Sequence, residues 1–268
     1  MPASRSPNRD ARSDHPRRAI WPWFFIAASA VLVVIAAALP ASFVRYFLPA
    51  AVHAEDFSGT LWHGSAGKIT VYARDAGALE WRLRAPALLR LAVEANLHWV
   101  KGGFAIDADA NVDRQGFAAS HIVGGGPLDD LHEIGIAPAW RGTAALKLSE
   151  VKGGFSRLSA AVGSVSVSNL TSPQVADGAD LGGYELRLLP GAVAGDGSVS
   201  AMVHDTGGPL EAVAQLRVSP SERTGLLTGT LAERPNAPQN LRTQLDSLTQ
   251  LRGRDAKGRI PVDLEFTF

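Results

Sequence analysis

From Leu91 to Trp99 the chain alternates. Leu91, Val93, Ala95, Leu97 and Trp99 are apolar, and Glu94, Asn96 and His98 fall between them. Period-two alternation places one face of a strand in a core and the other in water. Lys101-Gly102-Gly103 follows, and then Phe104, Ile106, Ala108, Ala110 and Val112 alternate with Asp107, Asp109, Asn111 and Asp113. Two such runs around a Gly-Gly pair predict an antiparallel hairpin. The five residues Val100–Phe104 (VKGGF) recur as Val151–Phe155, with Leu146 and Leu148 before the second copy and Leu158, Ala160, Val162, Val165 and Val167 after it. The matching flanks predict a second hairpin of the same kind. Further strands are expected at Ile69–Ala73, Leu79–Leu83, Tyr184–Leu188, Val199–Val203, Ala212–Val218, Leu226–Leu231 and Val262–Phe268. Helix is scarce. Pro127–Ile134 reads as a short helix with Pro first and acids in its first turn. Pro238–Leu251 carries Leu241, Leu245, Leu248 and Leu251 at helical spacing, bounded by Pro235 and Gly253. The expected fold is mainly β, an antiparallel curved or twisted sheet of repeated hairpins with a short helix in its C-terminal region. Periodicity leaves three arrangements open: a long trough, a half-open barrel or a two-layer sandwich.

One run departs from this pattern. Trp21 to Leu39 (WPWFFIAASAVLVVIAAAL) holds no charge, and as a helix it would reach about 28 Å, near the roughly 30 Å of a hydrocarbon core. Its bulk comes from Trp21, Trp23, Phe24, Phe25, Ile26, Val31, Leu32, Val33, Val34, Ile35 and Leu39, with the two tryptophans where an interfacial belt would sit. Arg5, Arg9, Arg12, Arg17 and Arg18 precede it and only Arg45 follows closely. That bias predicts a single-pass inner-membrane anchor with the N-terminus in the cytoplasm and the C-terminal mass across the membrane. A cleaved signal peptide is the rival reading, with Ala36-Ala37-Ala38 or Val52-His53-Ala54 as the cleavage site. The run exceeds the usual signal core of roughly 7–15 residues, which favours the anchor. The expected organisation is a basic tail over 1–20, a transmembrane helix over 21–39, a linker over 40–56 and a β domain over 57–268.

Composition narrows the chemistry. With 26 basic and 26 acidic residues the formal charge is zero, and the one basic cluster belongs to the tail, so nucleic acid is not an expected partner. The chain has no cysteine, which removes thiol nucleophiles and Cys-based metal sites. His15, His53, His63, His98, His121, His132 and His204 contain no i, i+4 pair and no His-Glu-x-x-His. Asp107, Asp109, Asn111 and Asp113 have the spacing of a calcium loop, but Val112 stands at the loop's glycine position and Ala118 at its glutamate position. The polar side of a strand is the better reading. Gly124-Gly125-Gly126 lacks the Lys-Ser/Thr of a phosphate loop, and Ser65 lacks the frame of a nucleophile elbow. No enzyme activity, cofactor, metal site or small-molecule substrate is expected.

Behind the apolar run the chain reads LPASFVRYFLPAAVHAEDFSGTLWHGSAGK over Leu39–Lys68. A span, a Leu-Pro segment and then Ser58-Gly59-Thr60-Leu61-Trp62-x-Gly64 resemble the N protein of the type II secretion system. Leu181-Gly182-Gly183-Tyr184-Glu185-Leu186 is similar to a family segment. So are Asp205-Thr206-Gly207-Gly208-Pro209-Leu210 and the Leu226–Leu231 strand. The leucine-spaced helix and the Gly253–Arg259 turn follow in family order. Two departures stand out: Ala232-Glu233-Arg234 where a Pro-Arg pair would be usual, and Arg252-Gly253 where Leu-Gly would be. Gly116–Val165 matches least. The resemblance implies an inner-membrane subunit with a periplasmic domain. It would serve, through contacts with other secretion components, the machinery that carries folded proteins across the outer membrane of Gram-negative bacteria. It implies no catalytic residues.

Two segments are candidate partner contacts, each with a plain structural alternative: Trp62 packed in the core, and an ordinary terminal strand closing the core. One is Trp62 in its glycine-flanked turn. The other is the terminal strand, whose Val262, Leu264, Phe266 and Phe268 share a face and whose edge could pair with a partner strand. The alternative function is of another class: an anchored apolar β trough for lipid movement between membranes. A continuous apolar face open to solvent would favour it, and a filled sandwich core would exclude it.

Overall fold

The computed structural model describes residues 37–155 and 157–267. The apolar run, except for its last three residues, lies outside these, as does Phe268. Among the described residues no helix is long and apolar enough to cross a membrane.

The alternating segments form thirteen strands. They are β1 (Val52–Gly59), β2 (His63–Val71), β3 (Arg74–Leu83), β4 (Val93–Lys101), β5 (Phe104–Val112), β6 (Phe117–Pro127) and β7 (Arg141–Gly153). β8 (Leu158–Thr171), β9 (Gly183–Leu188), β10 (Val199–Gly207), β11 (Leu210–Ser219), β12 (Thr224–Glu233) and β13 (Ile260–Thr267) complete the set. They build one sheet in strict sequence order, antiparallel throughout, with β1 and β13 as its two edges. The sandwich is thereby corrected. A sandwich needs the chain to leave one sheet and start another, and here each strand stays hydrogen-bonded to the next.

Register explains why one sheet suffices. Directly opposed residues share a face, so apolar positions can be followed across the sheet. One row runs Phe57–Ala66–Leu79–Trp99–Ile106–Gly124–Leu146 and continues Val165–Leu186–Val203–Ala214–Gly229–Val262, crossing all the strands without a polar residue. The neighbouring row, on the other face, begins Ser58–Ser65–Glu80–His98–Asp107 and ends Gln215–Thr228–Asp263. One face is mainly apolar and the other mainly polar from edge to edge, with Lys101 and Asp205 as charged exceptions at the ends of their strands on the apolar face. Register shifts within β2–β3, β5–β6, β7–β8 and β9–β10 mark bulges, and bulges bend a sheet.

Little covers the apolar face. The helix α1 (Gln239–Arg252) packs Leu241 and Leu245 with Leu181, Leu210 and Ile260 over the last strands. It starts one residue after Pro238, which sits just outside it with extended backbone. Ala41–Phe47 forms a 3-10 helix that lays Ala41 against Ala66 and Trp81. The short helix expected at Pro127–Ile134 is present as a 3-10 helix over Leu128–Ile134, with Pro127 preceding it; its Leu128 joins Phe104 and Ala144. These make three separate clusters, and between them the apolar face is only half-buried.

The repeated VKGGF segments both form hairpins, with different turns. Gly102-Gly103 is a two-residue turn closed by Lys101 opposite Phe104. In the second copy Gly153 pairs with Leu158, leaving a four-residue loop, and Phe155 points to solvent whereas Phe104 is buried.

Candidate functional site

The apolar face is floored by large side chains lying across glycines. Gly64 opposes Trp81, Gly124 opposes Ile106, Gly163 opposes Leu148 and Gly225 opposes Phe266. A Cβ at Gly64 would fall 2.6 Å from Cζ2 of Trp81, and one at Gly225 would meet the Phe266 ring. Alanines fill much of the rest: Ala95, Ala110, Ala119, Ala144, Ala161, Ala201 and Ala212. Small residues and flattened rings on one side let a sheet curl toward that side.

The sheet does curl that way. The β2–β3 turn (Val71, Tyr72, Arg74, Ala76) and Arg223 of the β11–β12 turn line one open cavity of about 680 Å³ with Glu133 and Ile134. Turns from opposite ends of the strands thus line one mouth-like cavity of a sheet that is twisted and not closed. Lys101 sits beside this mouth and donates to Asp75 at 3.1 Å and Glu133 at 2.7 Å. The hydrogen bond to Glu133 holds the Lys101 ammonium above its usual range. The backbone N–H of Gly77, followed by Lys101, holds Asp75 below its own. Arg74 and Arg223 have no acidic partner among the described residues.

Ser58–Gly64 is the tight connection of β1 to β2. Gly59 has φ of +81°, where a Cβ would strike the His63 carbonyl. Thr60 N–H donates to that carbonyl, and His63 N–H donates to the Thr60 hydroxyl. Trp62 is half-buried and its carbonyl accepts from Leu83 N–H. The tryptophan that fills this end is Trp81, whose indole N–H donates to the Leu61 carbonyl at 2.9 Å. Nothing in local spacing marked Trp81 over Trp62. Its partner Gly64 becomes visible only once the strands are in register.

The two glycine-rich segments of the C-terminal third come together. Tyr184 in β9 opposes Asp205 in β10, and a Cβ at Gly182 would overlap the Gly207 carbonyl. Arg234 closes the junction. One guanidinium nitrogen reaches both Asp205 oxygens, at 2.8 and 2.5 Å, and the other donates to the Gly208 carbonyl. Burial, then the charge of Asp205, pushes the Tyr184 phenol up to about 12. Asp255 organises the turn before β13 by accepting from the backbone of Lys257 and Arg259.

β13 brings Val262, Leu264 and Phe266 onto the inner face, where Leu264 and Phe266 stay exposed. The outer face gathers polar pairs across strands: His98 with Asp107 at 2.7 Å, His121 with Asp109 at 3.1 Å and His204 with Glu185 at 3.2 Å. Asp107, Asp109 and Asn111 of the calcium-like run therefore belong to the outer side of β5, with both carboxylates engaged by histidines, and Asp113 sits in the turn that follows. Among the described residues no group of three or more His, Asp or Glu side chains is arranged to hold a metal ion.

The sequence model of the family described as type II secretion system, protein N, matches residues 50–263. No curated protein and no solved structure matches.

Proposed function

This chain belongs to the type II secretion system protein N family, and from that membership we propose that it is an inner-membrane accessory subunit of the secretion apparatus, acting through contacts with other components rather than through catalysis. The family is a secretion component and not an enzyme family. The observation that carries the reading is the match from Ala50 to Asp263, which takes in β1 to β12 and the first half of β13. The segments behind the resemblance also prove to be contacting parts of the fold: the Leu181–Leu186 and Asp205–Leu210 stretches meet at one junction and share Arg234. The Ala-Glu departure before Arg234 leaves in place the residue that makes the ion pair.

In this proposal the Trp21–Leu39 run is an uncleaved single-pass anchor, with the β domain in the periplasm. A partner strand pairs with the edge of β13. Arg252 donates to the Asp263 carbonyl and Pro261 offers no N–H, so the free stretch of that edge lies toward Glu265 and Thr267. The experiment is a chromosomal deletion complemented by the full chain, by a chain ending after Pro261 and by one cleavable after Ala54, with exoprotein release measured. The full chain restores release, whereas a stably accumulating chain without Val262–Phe268 does not. Wild-type release from a stable truncated chain would remove the edge contact from the proposal. A mature N-terminus at Glu55 would remove the anchor.

A further inference from the structure

The apolar face is left half-covered, and the cavity lined by Arg74 and Arg223 indicates what chemistry it would accept. We propose that this face binds the acyl chains of an anionic phospholipid, with the phosphate held between Arg74 and Arg223. The proposal goes beyond the accessory role and does not depend on it.

Two observations converge. The first is the floor. A polar-free row crosses all thirteen strands, and the sheet's backbone groups are spent on neighbouring strands. An extended peptide laid there would bury its own N–H and C=O groups without partners, whereas a hydrocarbon chain has none to satisfy. The second is charge. The mouth cavity is lined by Val71, Ala76 and Ile134 and flanked by Arg74 and Arg223. The one carboxylate lining it, Glu133, is already engaged by Lys101 at 2.7 Å. Two arginines without acidic partners beside an apolar cleft complement an anion attached to a hydrocarbon; a phosphodiester accepts the forked guanidinium bonds that arginine offers. At about 680 Å³ the cavity lies within the roughly 300–1,000 Å³ range of ligand pockets.

The test uses the full chain in its own membrane. Cells grown with radioactive phosphate express the protein with a benzophenone amino acid at Val165 or Leu227 on the inner face, or at Val123 or Val213 on the outer face, and are irradiated. Inner positions gain a phosphorus-labelled adduct at least fivefold above outer ones, and phospholipase C releases the label. Changing Arg74→Gln together with Arg223→Gln lowers the labelling at least fivefold at unchanged protein level, and Arg74→Lys with Arg223→Lys restores part of it. Equal labelling of both faces, a protein-sized adduct or no adduct at inner positions overturns the proposal. Undiminished labelling of the glutamine pair overturns the placement of the phosphate. Exoprotein release, measured separately, reports on the accessory role whichever way the labelling falls.

Discussion

Arg234 is the residue whose loss should be felt most at the C-terminal junction. The Asp205 side chain is only 8 % exposed and takes both its oxygens' charge-assisted bonds from this guanidinium. Arg234→Ala leaves that carboxylate desolvated and unpaired, which costs about 3 kcal/mol, the low end for a broken buried pair because Arg234 itself is one-third exposed. Thermal unfolding of the detergent-solubilised full chain measures it. Arg234→Lys recovers less than half, since an ammonium cannot span both oxygens and the Gly208 carbonyl. Tyr184, opposite Asp205, adds a pH signature. Its phenol is raised to about 12 by burial first and by Asp205 second. A phenol whose folded pKa exceeds its unfolded value of about 10 stabilises the fold fully below pH 10 and loses that contribution as pH rises toward 12. The full chain therefore loses stability over that window, and Tyr184→Phe flattens the loss. An identical alkaline profile for the variant would show that Tyr184 ionises as freely folded as unfolded.

The two VKGGF hairpins show how far an element can be read from residues alone. Both exist because alternating runs flank a glycine pair, a signal that sits within ten residues and needs no distant partner. Their turns differ because distant residues decide them. Gly102 has φ of +59° and packs under Asp130, whose carboxylate accepts from Gly103 N–H at 2.6 Å. Gly154 has only the Gln115 carbonyl near its Cβ position, at 3.7 Å. So Gly102→Ala should destabilise by about 1–2 kcal/mol through strain and displacement of Asp130, and Gly154→Ala should change stability by less than about 0.5 kcal/mol. Matching denaturation curves for wild type and Gly102→Ala would mean that the Asp130 contact is dispensable. The same division holds elsewhere. The leucine stripe of α1 was legible and is displaced by only a residue from its expected bounds. The 3-10 form of Leu128–Ile134 was not legible, because seven residues are too few for helical periodicity to show.

At the scale of the molecule, alternation reveals that every strand has an apolar side but not whether two such sides face each other or one side curls on itself. Curvature here comes from glycines opposite large residues and from bulges, which are properties of register between strands. A consequence follows for how the fold comes apart. Each strand pairs only with its sequence neighbours, and the buried residues form three clusters rather than one. Such a sheet approaches a linear array whose stability is a sum of neighbour terms, and its opening should be local. Hydrogen exchange of the full chain should show the greatest protection in β6–β8, which include the two longest strands at 13 and 14 residues, with protection falling toward β1 and β13. Trp81→Ala removes the centre of the N-terminal cluster and should speed exchange in β1–β4 while leaving β9–β13 unchanged. Leu241→Ala, under α1, should do the reverse, because the two clusters share no residue. If either substitution sped exchange equally in all strands, the sheet would be one cooperative unit, coupled where Tyr72 and Arg223 line the same cavity, and the array description would have to be abandoned.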